Sequence, residues 1–289
     1  MINLLITGAS GQLGTEIQML ASLYPHYTFF FTHKNELDIS NNIQLNQFLT
    51  QNKIHVIINC AAYTAVDKAE TESILSDEIN HLAVKNLAMQ AKEKNIQLIH
   101  ISTDYVFNGE NFKPYLEDDI PNPQNYYGKV KLAGEETMKE INPQNSIIVR
   151  TSWLYSSHGN NFVKTMLRLG AEKDILSVVF DQIGTPTYVG DLAKALLDIL
   201  PYIKNDHVEI YHYSNEGVLS WYDFAKEIMK MAKLTCKVLP IETKDYPTPA
   251  KRPHYSVLNK RKIKDDFGLH IPYWKDSLSI CLKQMGAKR

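Results

Sequence analysis

Tyr127 and Lys131 stand four residues apart in Asn125-Tyr126-Tyr127-Gly128-Lys129-Val130-Lys131. On a helix, residues i and i+4 share a face. A phenol held beside an ammonium group can do acid chemistry, because the cation favours the phenolate and is expected to lower the tyrosine pKa toward neutrality. Spacing alone does not decide the matter, since Tyr222 and Lys226 repeat it. Upstream context separates the two pairs. Gln97 to Ile101 reads as a strand that delivers Ser102-Thr103-Asp104-Tyr105 to its carboxyl end, the edge where open α/β sheets bind ligands. A loop rich in Pro, Asp and Asn follows, and then the helix that carries Tyr127. A hydroxyl at a strand end with a Tyr-xxx-Lys helix after it can hold a carbonyl and protonate it. Tyr222 and Lys226 have no such strand end and read as a structural helix pair.

The elements that would position this chemistry begin at the N-terminus. Asn3 to Ile6 reads as a short buried strand, Thr7 to Gly14 as a glycine-rich turn, and Thr15 to about Leu23 as a helix. Gly8, Gly11 and Gly14 let the backbone turn tightly and approach a pyrophosphate, and the helix N-terminus offers free N–H groups to it. Gln12 and Leu13 lie within the same turn. The spacing is GxxGxxG, one residue longer than GxGxxG, and short-chain dehydrogenases use such a turn. Tyr27 to Thr32 is the second strand. An NAD site usually places an acid after it for the ribose hydroxyl; here stand His33 and Lys34. Neutral or positive donors suit a 2′-phosphate, so NADPH is favoured, with NADH as the alternative. Ser40 is placed to cap the next helix.

Ile54 to Asn59 is a continuous apolar run, as in a strand buried on both faces of a parallel sheet. A helix is expected from Ser73 to Lys94 and a further strand at Ile147 to Arg150. Alternating strands and helices predict an α/β fold with a doubly wound parallel sheet of Rossmann type. Residues 1–150 are assigned to this dinucleotide-binding domain. Residues 151–289 are assigned mainly to a smaller C-terminal α/β substrate lobe, with some segments returning to the first domain. In that second half, helices are expected over 161–170, 190–202, 219–233 and 274–284, and strands over 175–180 and 208–213. Asp191 is expected to cap the second of these helices.

The composition excludes several classes. A formal net charge of -1 over 289 residues gives no reason to expect nucleic acid or an anionic membrane as a partner. Three dispersed cysteines without a CxxC argue against a disulfide framework or structural zinc and fit a reducing cytoplasm. No signal peptide and no apolar run of membrane-spanning length is read.

Taken together, the chain resembles the dTDP-4-dehydrorhamnose reductases, a family of extended short-chain dehydrogenases. The resemblance rests on Thr7 to Gly14, Asn59 to Glu70, Ser102 to Phe107 and Tyr127 to Glu135. It continues through Arg150 to Tyr155, Gly159 to Phe162, Asp181 to Thr187, Arg252-Pro253 and Ser256 to Leu258. These blocks span nearly the whole chain. The resemblance implies NADPH-dependent reduction of the C4 ketone of a dTDP-linked 4-keto-6-deoxy sugar to dTDP-L-rhamnose. It implies catalytic roles for Thr103, Tyr127 and Lys131, with Lys131 also on the nicotinamide ribose. Asp38, Ile39, Ala61, Ala62 and Tyr63 would join the glycine turn in lining the cofactor, and Asp104, Tyr105 and Trp153 would face the sugar. Arg252 suits the substrate diphosphate, because a guanidinium fork matches phosphate. Some relatives are dimers bridged by magnesium. Glu16 matches one of their carboxylates, but Tyr188-Val189-Gly190 supplies no glutamate, so no metal is expected, and the state expected is a monomer or weak homodimer. The alternatives are another nucleotide-sugar reductase, epimerase or dehydratase, or an NADP-binding regulatory subunit of methionine adenosyltransferase.

Overall fold

The computed structural model describes residues 1–286. Six strands form one parallel sheet: β1 (Ile2–Thr7), β2 (Tyr27–Thr32), β3 (Val56–Asn59), β4 (Gln97–Thr103), β5 (Ile147–Thr151) and β6 (Glu209–Tyr213). Their spatial order is β6-β5-β4-β3-β1-β2. Leu4, Leu5, Ile6, Ile57 and Ile58 are fully buried, which is why β1 and β3 read as unbroken apolar runs. The chain leaves β1 toward β2 on one side and then crosses to β3 on the other. The switch point therefore lies between β1 and β3, and it opens a crevice at their carboxyl ends.

Helices cover both faces, as the doubly wound expectation requires. Leu13 and Ile17 of α1 (Gln12–Leu20) pack with Val189, Leu192 and Leu196 of a late helix, Val189–Ile199, against one face of β1. The other face is covered by α2 (Asn42–Gln51), α3 (Ala83–Lys94) and α4 (Tyr126–Ile141), through Leu45, Leu87, Met138 and their neighbours. A separate core holds the C-terminal lobe, where Tyr155, Phe224, Ile228, Trp274 and Leu278 meet. Of the two late strand-like runs, Glu209–Tyr213 joins the large sheet beside β5. Ile175–Val179 instead pairs in parallel with Lys237–Ile241.

Three local expectations change. The helix expected over 73–94 is interrupted by a π-turn at Glu78–Leu82, a feature common near functional sites. Asn80 in that turn holds the Tyr63 backbone from both sides, accepting from its N–H at 3.0 Å and donating to its carbonyl at 2.9 Å. The cap of α2 is Asn41, whose side chain accepts from Ile43 and Gln44, while Ser40 donates its hydroxyl to Asp38. Asp191 caps nothing: its carboxylate accepts from Asn215 and Ser277, tying the Val189–Ile199 helix to the last helix, Trp274–Gln284.

Candidate active site

The crevice at the switch point opens into two adjoining cavities. One, of about 280 Å³, lies over the glycine turn and reaches Lys34, Asp38 and Ile39. The other, of about 550 Å³, runs from Gln12 and Leu13 past Thr103 and Asp104 to Tyr127, Lys131 and Trp153. Ser10, Gly11, Cys60, Ala61 and Ala62 line both, so they form one groove. Small residues are required where the walls meet. A Cβ on Gly8, which has φ +64°, would lie 2.7 Å from the Ala61 backbone, and one on Gly14 would lie 2.6 Å from Ala9 Cα. Gly14 thus packs α1 against the turn and does not itself line the groove.

The expected cofactor residues stand in different relations to the groove. Lys34 reaches the groove, but exposed His33 does not line it; its N–H is held by Glu36 Oε2 at 2.9 Å. Asp38 lines the groove with its carboxylate engaged by Ser40. Tyr63 lies outside both cavities, with its hydroxyl on Glu72 at 2.6 Å. Gln12 ties the glycine turn to the C-terminal half, accepting from Ser156 Oγ and Asn161 Nδ2, each at 3.0 Å.

The hydroxyl, phenol and amine come together through β4 and α4. Asn125 starts α4 by accepting from the Gly128 N–H at 2.8 Å and donating to the Lys251 carbonyl at 2.8 Å. Gly128 is needed because a Cβ there would collide with the Tyr105 carbonyl. Tyr127 and Lys131, one turn apart, then point into the larger cavity and are 8% and 1% exposed. The expectation that Lys131 lowers the Tyr127 pKa is overturned. Burial raises it above the ordinary phenol value, the Asp104 carboxylate adds to the rise, and only the Thr103 hydroxyl opposes it. Burial therefore makes Tyr127 a weaker acid than a free phenol. Lys131 Nζ instead donates to the Ile101 carbonyl at 2.6 Å and meets His100 Nε2 at 3.3 Å. Its own burial pulls it down to about 8, against the attraction of Glu135.

Asp104 is buried, and its Oδ1 accepts from Thr103 Oγ1 at 3.0 Å. Burial raises this carboxyl to about 6, although hydrogen bonds from Ser256 and Thr103 hold it back. Tyr105 packs edge-on against Tyr127 with ring centres 5.8 Å apart. Trp153 takes a left-handed backbone, φ +47°, and stacks on Trp221 at 3.6 Å. A non-glycine residue pays for that conformation, and such strain concentrates at functional sites. Gly184 leaves room for the indole, which a Cβ would strike at 2.7 Å.

A third cavity, of about 610 Å³, lies in the C-terminal lobe beyond the indole pair, with Phe162, Trp221, Tyr246, Lys173 and Arg252 in its wall. Arg252 thus lines this cavity and not the one around Tyr127. Its guanidinium is forked onto Asp67, with bonds of 3.1 and 2.7 Å. Tyr222 and Lys226 lie on the Trp221–Met231 helix and line none of these three cavities.

Reading the sequence missed Cys60, Asn59, Gly159 and Asn160 as part of the larger cavity's wall. The run Gly159-Asn160-Asn161 was the available signal for the last two. It also missed His100, a histidine inside an apolar strand just before Thr103.

Comparison with known proteins extends this geometry. The chain matches the RmlD substrate binding domain family over residues 2–287. It is 44% identical to a dTDP-4-dehydrorhamnose reductase of Aggregatibacter actinomycetemcomitans, covering 96% of this chain and 97% of the relative. The structure of a dTDP-4-dehydrorhamnose reductase from Clostridium acetobutylicum superposes with a TM-score of 0.93 at 43% identity, covering 99% of this chain and all of the other. A Bacillus anthracis dTDP-4-dehydrorhamnose reductase, solved in complex with NADP, superposes with a TM-score of 0.92 at 41% identity, covering 98% of this chain and 99% of the other.

Proposed function

The chain belongs to the dTDP-4-dehydrorhamnose reductase family, and from that membership we propose that it reduces the C4 ketone of dTDP-4-dehydro-L-rhamnose to dTDP-L-rhamnose with NADPH. The observation that carries the reading is the convergence of Thr103, Tyr127 and Lys131 in one cavity continuous with the glycine turn. The groove fits a dinucleotide. Its glycines clear a path that a Cβ would block, α1 offers its N-terminal N–H groups, and Lys34 in its wall offers a cation for a 2′-phosphate.

NADPH, when bound there, supplies the hydride. Hydride addition to a ketone builds negative charge on its oxygen, so O–H donors aimed at that oxygen stabilise the transition state. The Tyr127 phenol is one such donor, and Thr103 Oγ1 is the second once its hydroxyl turns from Asp104 Oδ1 to the substrate. Tyr127 then gives up its proton to the alkoxide that hydride addition forms, a base strong enough to take it although burial makes the phenol a weaker acid. Lys131 holds the ribose side of the groove, and its ammonium form supplies positive charge near the developing phenolate. The stacked Trp153 and Trp221 divide the sugar's cavity from the third one. Aromatic walls for a base and Lys173 with Arg252 for phosphates fit that third cavity to the dTDP half.

Among the described residues no group of three metal-ligating side chains is present, and no helix is long and apolar enough to cross a membrane. The reaction as written needs no metal. The deciding assay follows NADPH absorbance with freshly made dTDP-4-dehydrorhamnose and identifies the product by mass and NMR. Stoichiometric oxidation yielding dTDP-L-rhamnose is expected. Tight NADPH binding with no oxidation would overturn the substrate.

A further inference from the structure

Behind the catalytic lysine lies a buried chain of side chains that the reaction as written does not use. His100, on β4, is fully buried, and its two ring nitrogens face two different neighbours. Nε2 lies 3.3 Å from Lys131 Nζ, and Nδ1 lies 3.0 Å from Asn59 Nδ2. Asn59, at the end of β3, is itself 1% exposed. Its Oδ1 accepts from Thr7 Oγ1 at 2.6 Å and from the Ala61 N–H at 3.3 Å. Thr7 and Ala61 both line the cofactor groove.

The direction of this chain follows from two donors at its far end. The Ala61 N–H, which can only donate, is shared between Asn59 Oδ1 at 3.3 Å and Thr7 Oγ1 at 3.4 Å, and the Thr7 hydroxyl donates to the same Oδ1 at 2.6 Å, so the side of the Asn59 amide that faces them is its oxygen. The amide NH₂ then faces His100 Nδ1, and Nδ1 must accept. An imidazolium would set two donors against each other there. Burial and the nearby Lys131 charge both disfavour an imidazolium, holding the His100 pKa well below its ordinary value. The neutral ring therefore carries its proton on Nε2, and that N–H points at Lys131 Nζ.

We infer that His100 is a positioning residue that sets the proton occupancy of Lys131: its Nε2–H opposes the ammonium and accommodates the free amine, with Asn59 and the Ala61 N–H fixing that direction. An ammonium has no lone pair, so it presents a donor to a donor. A free amine accepts from Nε2–H and can still donate to the Ile101 carbonyl at 2.6 Å. Other groups act on the same nitrogen. Glu135, one turn along α4, favours the ammonium, although Arg150 and Ser102 hold its carboxylate. Asp104 and Tyr127 share the cavity and add a carboxyl and a phenol. The consequence is a lysine poised to change protonation near working pH, coupled through Asn59 to the cofactor groove. The inference rests on the proposed role of Lys131 in reduction, so its test must read the histidine apart from turnover.

The test is nitrogen NMR of the ¹⁵N-histidine-labelled full chain, with the His100 signals assigned by comparison with His100→Gln. The expected result is a neutral ring with a pyrrole-type Nε2 and a pyridine-type Nδ1. A Nδ1–H tautomer or an imidazolium at pH 7 overturns the inference, whatever the enzyme's activity. A reductase assay on the same sample reports separately on the functional reading. In a second measurement Asn59→Asp offers Nδ1 a pure acceptor, which turns the Nε2 lone pair toward Lys131. The upper limb of the kcat/KM profile against pH should then move to higher pH by about one pH unit, a tenfold change in proton affinity. An unmoved limb in a folded variant would reduce Asn59 and His100 to packing residues. If that variant does not fold, the wild-type tautomer still decides.

Discussion

Tyr127 carries its proton at neutral pH as any phenol does, and burial raises its pKa further, which makes it a weaker acid. Tyr127→Phe keeps the ring packed against Tyr105 and removes only the proton. Its kcat should fall by roughly 10²- to 10⁴-fold, the usual contribution of a positioned acid, while NADPH affinity measured by fluorescence stays unchanged. A variant that keeps most of its turnover would remove Tyr127 from the chemistry. Asp104 makes a different claim at the same scale. Its carboxyl is raised from 3.8 to about 6 by burial. The folded protein therefore holds this proton more tightly than the unfolded chain does, so stability falls as pH rises from about 4 to about 6 and the cost is complete above that. Asp104→Asn abolishes that titration. The stability of the variant relative to wild type should climb by ~2–3 kcal/mol across the window and level off above it, as read by urea unfolding at several pH values. A difference that does not vary with pH would mean that Asp104 is not held protonated. On the proposed reading Lys34, which lines the groove where His33 does not, meets the 2′-phosphate. Lys34→Glu should weaken NADPH relative to NADH by about tenfold or more, roughly 1.4 kcal/mol, in the ratio of kcat/KM values. An unchanged ratio would show that the 2′-phosphate is read elsewhere.

Among the elements, α4 has the narrowest tolerance, because one helix must aim both Tyr127 and Lys131. Its N-terminus is pinned by Asn125 and by Glu70, which accepts from the Tyr126 N–H at 2.8 Å. One turn beyond Lys131, Gly134 lets α4 rest on the π-turn, where an added Cβ would collide with the Asn80 carbonyl. Gly134→Ala is thus an overpacking change at a helix crossing, expected to cost about 1–3 kcal/mol, and the displaced helix should lower kcat as well. Urea unfolding together with turnover tests this; wild-type values in both would mean that α4 shifts freely. Much of this element scale was legible in the sequence. The strand, glycine turn and helix at the N-terminus, the buried run into Asn59, and the hydroxyl-bearing end of β4 all follow from local pattern and chain order. The π-turn was not legible, because no local residue demands it; Gly134 of α4 packs against it. The displaced Tyr63 follows from that turn, since Asn80 holds its backbone. The sign of the Tyr127 shift was also hidden. Spacing shows that a cation is near, but only packing shows that desolvation outweighs it and that Lys131 donates to Ile101. Nor could sequence choose between Ile175–Val179 and Glu209–Tyr213 as the strand that completes the sheet, because both are short strand-like runs of five residues.

At the scale of the whole molecule, the proposed function gives the groove over the sheet and the cavity of the C-terminal lobe two ends of one substrate to hold. They meet at the Trp153–Trp221 pair, and a strap crosses nearby: Asp67, from the segment after β3, holds Arg252 and also accepts from the Ala250 N–H at 3.2 Å. The strap joins residues far apart in sequence, so their pairing could not be read in advance, and Arg252 had been expected to face phosphate alone. The geometry gives the arginine an orienting partner and a place on the wall of the lobe cavity. A bidentate carboxylate fixes the plane of a guanidinium, leaving its remaining N–H groups to meet an anionic ligand. Two variants separate orientation from competition. Arg252→Ala should raise KM for the dTDP-sugar by about tenfold or more, with NADPH affinity unchanged, because the cofactor groove lies elsewhere. Asp67→Asn should raise the same KM, since it frees the fork to swing and loosens Ala250. Were Asp67 merely competing with the diphosphate, the same change would lower KM instead. The direction of that one shift, measured beside an unaltered NADPH affinity, shows whether the strap builds the substrate site or blocks it.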